Sequence, residues 1–197
     1  MSQNYSFQDQ KADISPIIPL INLQGESLVG AEVGVFRGDS FFTLLHNCPN
    51  VSTLYGVDAF KPYSDFVGSS DPSVPAMVKD EKEIDFVRIV FHHRMKFTGC
   101  EDRVKFLEMD SSDAAKEVAD DSLDFVFLDS YLSHAQACND LEEWFPKVKS
   151  GGIFAGHDWT EPQIASAVNE FRARHGITSR MSTYADTWVW FKDPVGD

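Results

Sequence analysis

Five short, mostly apolar runs constrain this chain more than any other feature: Leu28–Val35, Thr53–Val57, Val104–Glu108, Leu123–Leu128 and Ile153–Ala155. They lack the strict apolar/polar alternation of a strand wetted on one face, so they read as strands buried on both faces. The segments between them carry helical spacing. Asp39 or Ser40 caps a helix bearing Phe41, Phe42, Leu44 and Leu45. Over Lys79–Phe97, Ile84, Val87, Phe91 and Met95 recur at three- and four-residue steps. Ser111–Ser112–Asp113 caps a short helix over Ala114–Ala119, and His134–Val148 turns Ala137, Leu141, Trp144 and Phe145 inward. Pro162 opens a helix that runs to about His175.

Strands alternating with helices predict an α/β fold, a three-layer sandwich around a mostly parallel sheet. The tail breaks that rhythm. Strands near Ile177–Met181 and Thr187–Phe191 are joined by only Ser182 to Asp186, too short for a parallel crossover, so they pair antiparallel. The expectation is one domain over residues 1–197, with 1–27 as an N-terminal extension and the proline-broken stretch 61–78 as a lid or loop insertion.

Charge excludes several partners. Seventeen Lys and Arg against 31 Asp and Glu give a formal net charge of −14, which repels phosphate backbones and anionic membranes. No apolar run approaches the roughly 20 residues of a bilayer span. Met1–Gln10 is polar, without a signal peptide's basic and apolar regions. Cys48, Cys100 and Cys138 have neither disulfide-framework nor metal-knuckle spacing. A cytoplasmic protein is expected, with no nucleic-acid or membrane partner.

Ligands of open α/β sheets bind beyond the carboxyl ends of the strands. Those ends carry Glu32 to Gly38, Asp58, Asp110, Asp129 and Asp158. Glu32-Val-Gly34-Val-Phe36-Arg37-Gly38 lacks the third glycine of a dinucleotide loop, and Glu32 suits a cationic or amino-bearing ligand better than a phosphate. Asp58, 24 residues beyond Gly34, has the spacing of a carboxylate that accepts both hydroxyls of a ribose. A positively charged nucleoside without a diphosphate fits these groups together.

In these motifs the sequence resembles the class I S-adenosylmethionine-dependent methyltransferases, whose fold is Rossmann-like. Ala31–Gly38 is similar to their first motif, Tyr55–Asp58 to the end of their second strand, and Met109–Ser111 to the adenine-contacting motif. Leu123–Asp129, followed by His134, Asp140–Leu141, Trp144, Pro146 and Gly151–Gly152, resembles the fourth motif, and Gly156–Trp159 completes the series. The nearest subgroup is that of small-molecule O-methyltransferases of sugar- and antibiotic-tailoring type. The resemblance implies that Glu32 faces the amino-acid end of S-adenosylmethionine, with Gly34, Phe36, Arg37 and Gly38 forming the loop beside it. It implies Asp58 on the ribose, Asp110 on the adenine amino group with Ser111 beside it, and Asp129 where methyl donor meets acceptor. It further implies a small-molecule acceptor; a homo-oligomer stays open.

For catalysis, His134 and His157 are candidate general bases, because imidazole titrates near neutrality. Asp129 and Asp158 should converge on one cleft, where they share a proton, pair with an imidazole or hold a magnesium ion. Trp159 stands where catechol-type relatives place a third oxygen ligand, which favours the imidazole or a direct Asp129 base over a metal. His92 and His93 face different directions and read as solvated or lid-contacting. Acceptor selection is expected from 61–78, with Tyr63 and Phe66, and from Arg88 and Arg94. The rival readings are an NAD(P)-dependent oxidoreductase and a non-catalytic nucleoside-binding protein of the same fold.

Overall fold

The structure, a computed structural model, describes residues 14–62, 67, 79–130 and 133–193. Tyr63, Phe66 and most of the stretch expected to form a lid lie outside the described residues. The strands are β1 (Leu28–Val33), β2 (Val51–Val57), β3 (Val104–Leu107), β4 (Leu123–Leu128), β5 (Val148–Gly156), β6 (Ser182–Tyr184) and β7 (Thr187–Phe191). The helices are α1 (Ile18–Asn22), α2 (Asp39–Asn47), α3 (Glu81–Thr98), α4 (Ser111–Lys116), α5 (His134–Trp144) and α6 (Pro162–Arg174).

The strand order is β3-β2-β1-β4-β5-β7-β6. The first five strands pair parallel, and β7 runs antiparallel to both β5 and β6. One strand is therefore reversed, as the short tail connection demands. The order turns back on itself between β1 and β4, which fixes the ligand crevice at their carboxyl ends.

Side chains alternate across the sheet and build two cores. Phe125 and Phe127 of β4 pack on one face with Phe41, Phe42, Phe91 and the isoleucines of the N-terminal segment. Val126 and Leu128 pack on the other with Leu141, Trp144, Phe171, Trp188 and Trp190. The part of the expected N-terminal extension that is described is thus built into the core: Ile14, Ile17 and Ile21 have no exposed surface. Asn50 ties it down, its side-chain amide donating to the carbonyls of Ile21 (3.0 Å) and Gly25 (2.7 Å).

Several boundaries differ from expectation for local reasons. α2 is capped by neither Asp39 nor Ser40 but by Gly38 in the left-handed region, φ 80°, with Asp39 in the first turn where its charge suits the helix dipole. α4 begins at Ser111 after Asp110 and ends at Lys116. α5 stops at Trp144 because Pro146 sits in a following 3-10 turn, and Val148 already belongs to β5. The first strand of the terminal hairpin is Ser182–Tyr184, not Ile177–Met181, and the turn is only Ala185–Asp186.

Candidate active site

The loop after β1 is a tight backbone fold held from two sides. Gly34 has φ 89°, and a Cβ there would overlap the carbonyl of Asp129, so only glycine lets β1 and β4 approach this closely. Phe36 also lies in the left-handed region, at φ 48°. Its N–H donates to Asp58 Oδ2 (2.8 Å), while the Phe60 N–H donates to Asp58 Oδ1 (2.8 Å). Each carboxylate oxygen keeps a further lone pair. Burial pushes the Asp58 carboxyl up against the pull of these two donors, and Glu108 pushes it the same way.

Glu32 is wholly buried one residue before the end of β1, in register with Gly56 of β2 and Phe127 of β4. Ser40 donates to its Oε1, at 2.5 Å. Oε2 is buried with no hydrogen-bond partner among the described residues. Burial raises its pKa well above the usual carboxylate range, Ser40 opposes that, and Asp129 and Asp39 add to it. An orphaned buried carboxylate oxygen costs about 1–3 kcal/mol, and a cationic donor from a ligand would relieve it.

Arg37 lies over the Phe36 ring, 5.5 Å from its centroid, and 3.8 Å from Asp39. Arg94 of α3 donates to the Arg37 carbonyl (2.9 Å) and to Asp39 Oδ1 (2.7 Å), fastening the loop to α3. Arg88 pairs with Asp85 (3.3 Å) and Glu108 (3.2 Å). Both arginines expected to select the acceptor are thus occupied with the protein's own acids. His92 meets Glu108 (3.1 Å), and His93 packs on Phe97.

Beyond β3, Asp110 is largely exposed and pairs with Lys61 (3.1 Å), a contact that binds the start of the 61–78 stretch to the β3 loop. Ser111 points inward instead. Its hydroxyl donates to Asp140 Oδ1 (2.6 Å) and accepts from Trp144 Nε1 (2.8 Å).

Asp129 and Asp158 do converge, and His157 stands between them. Its Nδ1 lies 2.9 Å from Asp158 Oδ1 and 3.3 Å from Asp129 Oδ1, while Nε2 lies 3.8 Å from Asp186 Oδ2 in the β6–β7 turn. Burial works against a charged imidazole here, but the bonds to Asp129 and Asp158 outweigh it, and the pKa is pushed up to about 12. His157 therefore keeps its proton at neutral pH. Its surroundings thus differ from those of the free imidazole on which the expected general-base role rests. Asp129, His157 and Asp158 each offer a donor atom within 4.8 Å of the others, so the group could also take a cation.

His134 is not part of this group. At the first turn of α5 its Nε2 meets Glu170 of α6 (3.2 Å), with Cys138 Sγ 3.7 Å from its Nδ1. Asp186 is absent from the motifs read in the sequence, and Asp140 stands in one of them without an expected role. Asp186 carries no signal beyond lying in a turn. Asp140 does: it shares the inward face of α5 with Ala137, Leu141 and Trp144, a charged residue in an apolar stripe.

A family model described as a methyltransferase domain matches residues 31–159. No curated protein matches the sequence at a significant level. Among solved structures, the O-methyltransferase NovP is similar, with 21% identity, a TM-score of 0.62 and coverage of 95% of this chain and 79% of its own. A Streptococcus mutans protein assigned as a methyltransferase, solved in complex with SAH, shares 10% identity at a TM-score of 0.63, covering 91% and 97%. The precorrin-6y C5,15-methyltransferase of Geobacter metallireducens shares 12% identity at a TM-score of 0.61, covering 98% and 93%. At these identities the likeness is one of fold.

Proposed function

This chain belongs to the methyltransferase-domain family, and on that premise we propose that it moves a methyl group from S-adenosylmethionine to a hydroxyl of a small molecule. The observation that carries the reading is the paired set of acids at the β1 and β2 ends. Glu32 keeps a buried carboxylate oxygen without a partner among the described residues, and Asp58 is fixed by two backbone N–H groups with a lone pair left on each oxygen. An ammonium suits the first and a ribose diol the second. The absent third glycine speaks against a dinucleotide, and the O-methyltransferase NovP among the similar structures favours oxygen as acceptor.

Bound S-adenosylmethionine supplies an electrophilic methyl on a sulfonium, so the protein's own task is to align the acceptor and remove its proton. Asp129, at the end of β4 against Gly34, is the group we assign to accept that proton. The His157 imidazolium holds the Asp129 and Asp158 carboxylates together and offsets their mutual repulsion. Asp158 orients that imidazolium through its 2.9 Å contact. His134 has no part in the reaction on this reading.

A second reading puts a divalent cation on Asp129, His157 and Asp158, favoured by their convergence within 4.8 Å. It requires Nδ1 of His157 to give up the proton it shares with both carboxylates, and Trp159 adds no ligand. On the first reading the imidazolium serves in the cation's place and magnesium is not needed.

Calorimetric titration with S-adenosylmethionine, S-adenosylhomocysteine and NAD tests the assignment. Binding of the first two at micromolar level, about −8 kcal/mol, with none of NAD is the expected result. A folded sample that binds neither form would overturn it.

A further inference from the structure

Asp140 sits on α5 with no exposed surface, yet it is surrounded by donors. Ser111 Oγ donates to Oδ1 (2.6 Å), Gln136 Nε2 donates to the same oxygen (3.0 Å), and Ser130 Oγ donates to Oδ2 (2.5 Å). The direction of the Ser111 bond is fixed by its neighbour. Ser111 accepts from Trp144 Nε1 (2.8 Å), so its own proton goes to Asp140. An ionised carboxylate, which only accepts, is the form that satisfies all three.

The sequence positions of these partners matter more than their number. Ser111 follows Asp110 at the end of β3, and Ser130 follows Asp129 at the end of β4. The two loops belong to strands that are not neighbours, since β2 and β1 lie between them in the sheet. No ladder bond therefore sets their separation. Asp140 spans that gap, one carboxylate oxygen to each loop.

We propose that Asp140 is a positioning residue that couples the β3 loop to the β4 loop, so that the group holding the nucleoside end and the group at the methyl-transfer end are set by one buried carboxylate. This rests on the methyltransferase reading above and deepens it. The residue touches neither cofactor nor acceptor; it acts through the two serine hydroxyls. Burial pushes its carboxyl up from its ordinary value while Ser111, Ser130 and Gln136 oppose the rise, as expected of a charge kept inside by dedicated donors.

The test is a double-mutant cycle on S-adenosylhomocysteine affinity, measured by calorimetry well below the melting temperature of every variant. Ser111→Ala and Ser130→Ala are each expected to weaken binding by about tenfold, the loss of one bond to a charged group. Because both act through Asp140, the double variant should lose much less than the product of the two, and in an Asp140→Asn background both changes should be nearly silent. Hydrogen exchange of the unliganded protein gives a second readout: Asp140→Asn should speed exchange at residues 110–116 and 129–130 together. Independent, multiplicative effects that persist in the Asp140→Asn background would overturn the coupling. So would variants that lower the melting temperature while leaving affinity and loop exchange unchanged. Failure of the wild type to bind at all would overturn the methyltransferase reading with it, a result distinct from uniform binding by every variant.

Discussion

The Asp58 carboxylate takes the Phe36 N–H at 2.8 Å across 22 residues, so the acid at the end of β2 also holds the glycine loop after β1 in shape. The loop needs that support, because Phe36 stands at φ 48° and Gly34 at φ 89°. Binding and folding therefore share one side chain.

It follows that Asp58→Ala acts twice. It removes the acceptor for the ribose hydroxyls, weakening cofactor binding by about 2 kcal/mol. It also strands the Phe36 and Phe60 N–H groups, costing about 1–3 kcal/mol of stability. Calorimetry and thermal melting separate the two losses. An unchanged melting temperature with lost affinity would assign Asp58 to the ligand alone.

Gly34→Ala should be worse for the fold. The substitution adds left-handed strain of about 1–2 kcal/mol and drives a methyl into the Asp129 carbonyl. A melting temperature within a degree of the wild type would contradict the close approach of β1 and β4.

Glu32 sets a pH dependence of stability. Its folded pKa is raised, chiefly by burial, so its protonated form favours the folded state. That contribution is complete below the unfolded value of about 4.3 and is lost as pH climbs through the folded value. Melting curves from about pH 4 to 8 should show the wild type falling relative to Glu32→Gln. Saturating S-adenosylmethionine should reduce the fall, since its ammonium favours the ionised carboxylate. Parallel curves for the two proteins would contradict the buried, half-satisfied acid.

For His157 the sign is the same and the window higher. Its pKa rises to about 12, so the stability it adds is present below the unfolded value of about 6.5 and disappears toward pH 12. His157→Gln leaves Asp129 and Asp158 facing each other without a cation, and should cut methyl transfer by about 100-fold or more. Wild-type activity should survive EDTA and show no inflection near pH 6.5. Loss with EDTA and recovery with magnesium would favour the metal reading.

How much of this the sequence revealed follows from what each residue is buried against. β1, β2, β4 and β5 were legible because strands covered on both faces must be apolar throughout. β6 was not, since Ser182, Thr183 and Tyr184 are all exposed on an edge and carry no pattern. α1 escaped because five residues behind a proline offer too few turns for periodicity, yet Ile17 and Ile21 are fully buried. The acids at the strand ends were readable from spacing. What they do there was not, because it depends on bonds across 22 residues for Asp58 and on three carboxylates gathered around His157 from three separate loops.

The most direct measurement is a crystal structure with S-adenosylhomocysteine bound. The expected result is the ribose hydroxyls on the Asp58 carboxylate, the amino group meeting Glu32 directly or through one water, and the sulfur facing the side of the cleft that holds Asp129. A ligand seated elsewhere, or one that leaves both Asp58 and Glu32 without contact, would contradict it.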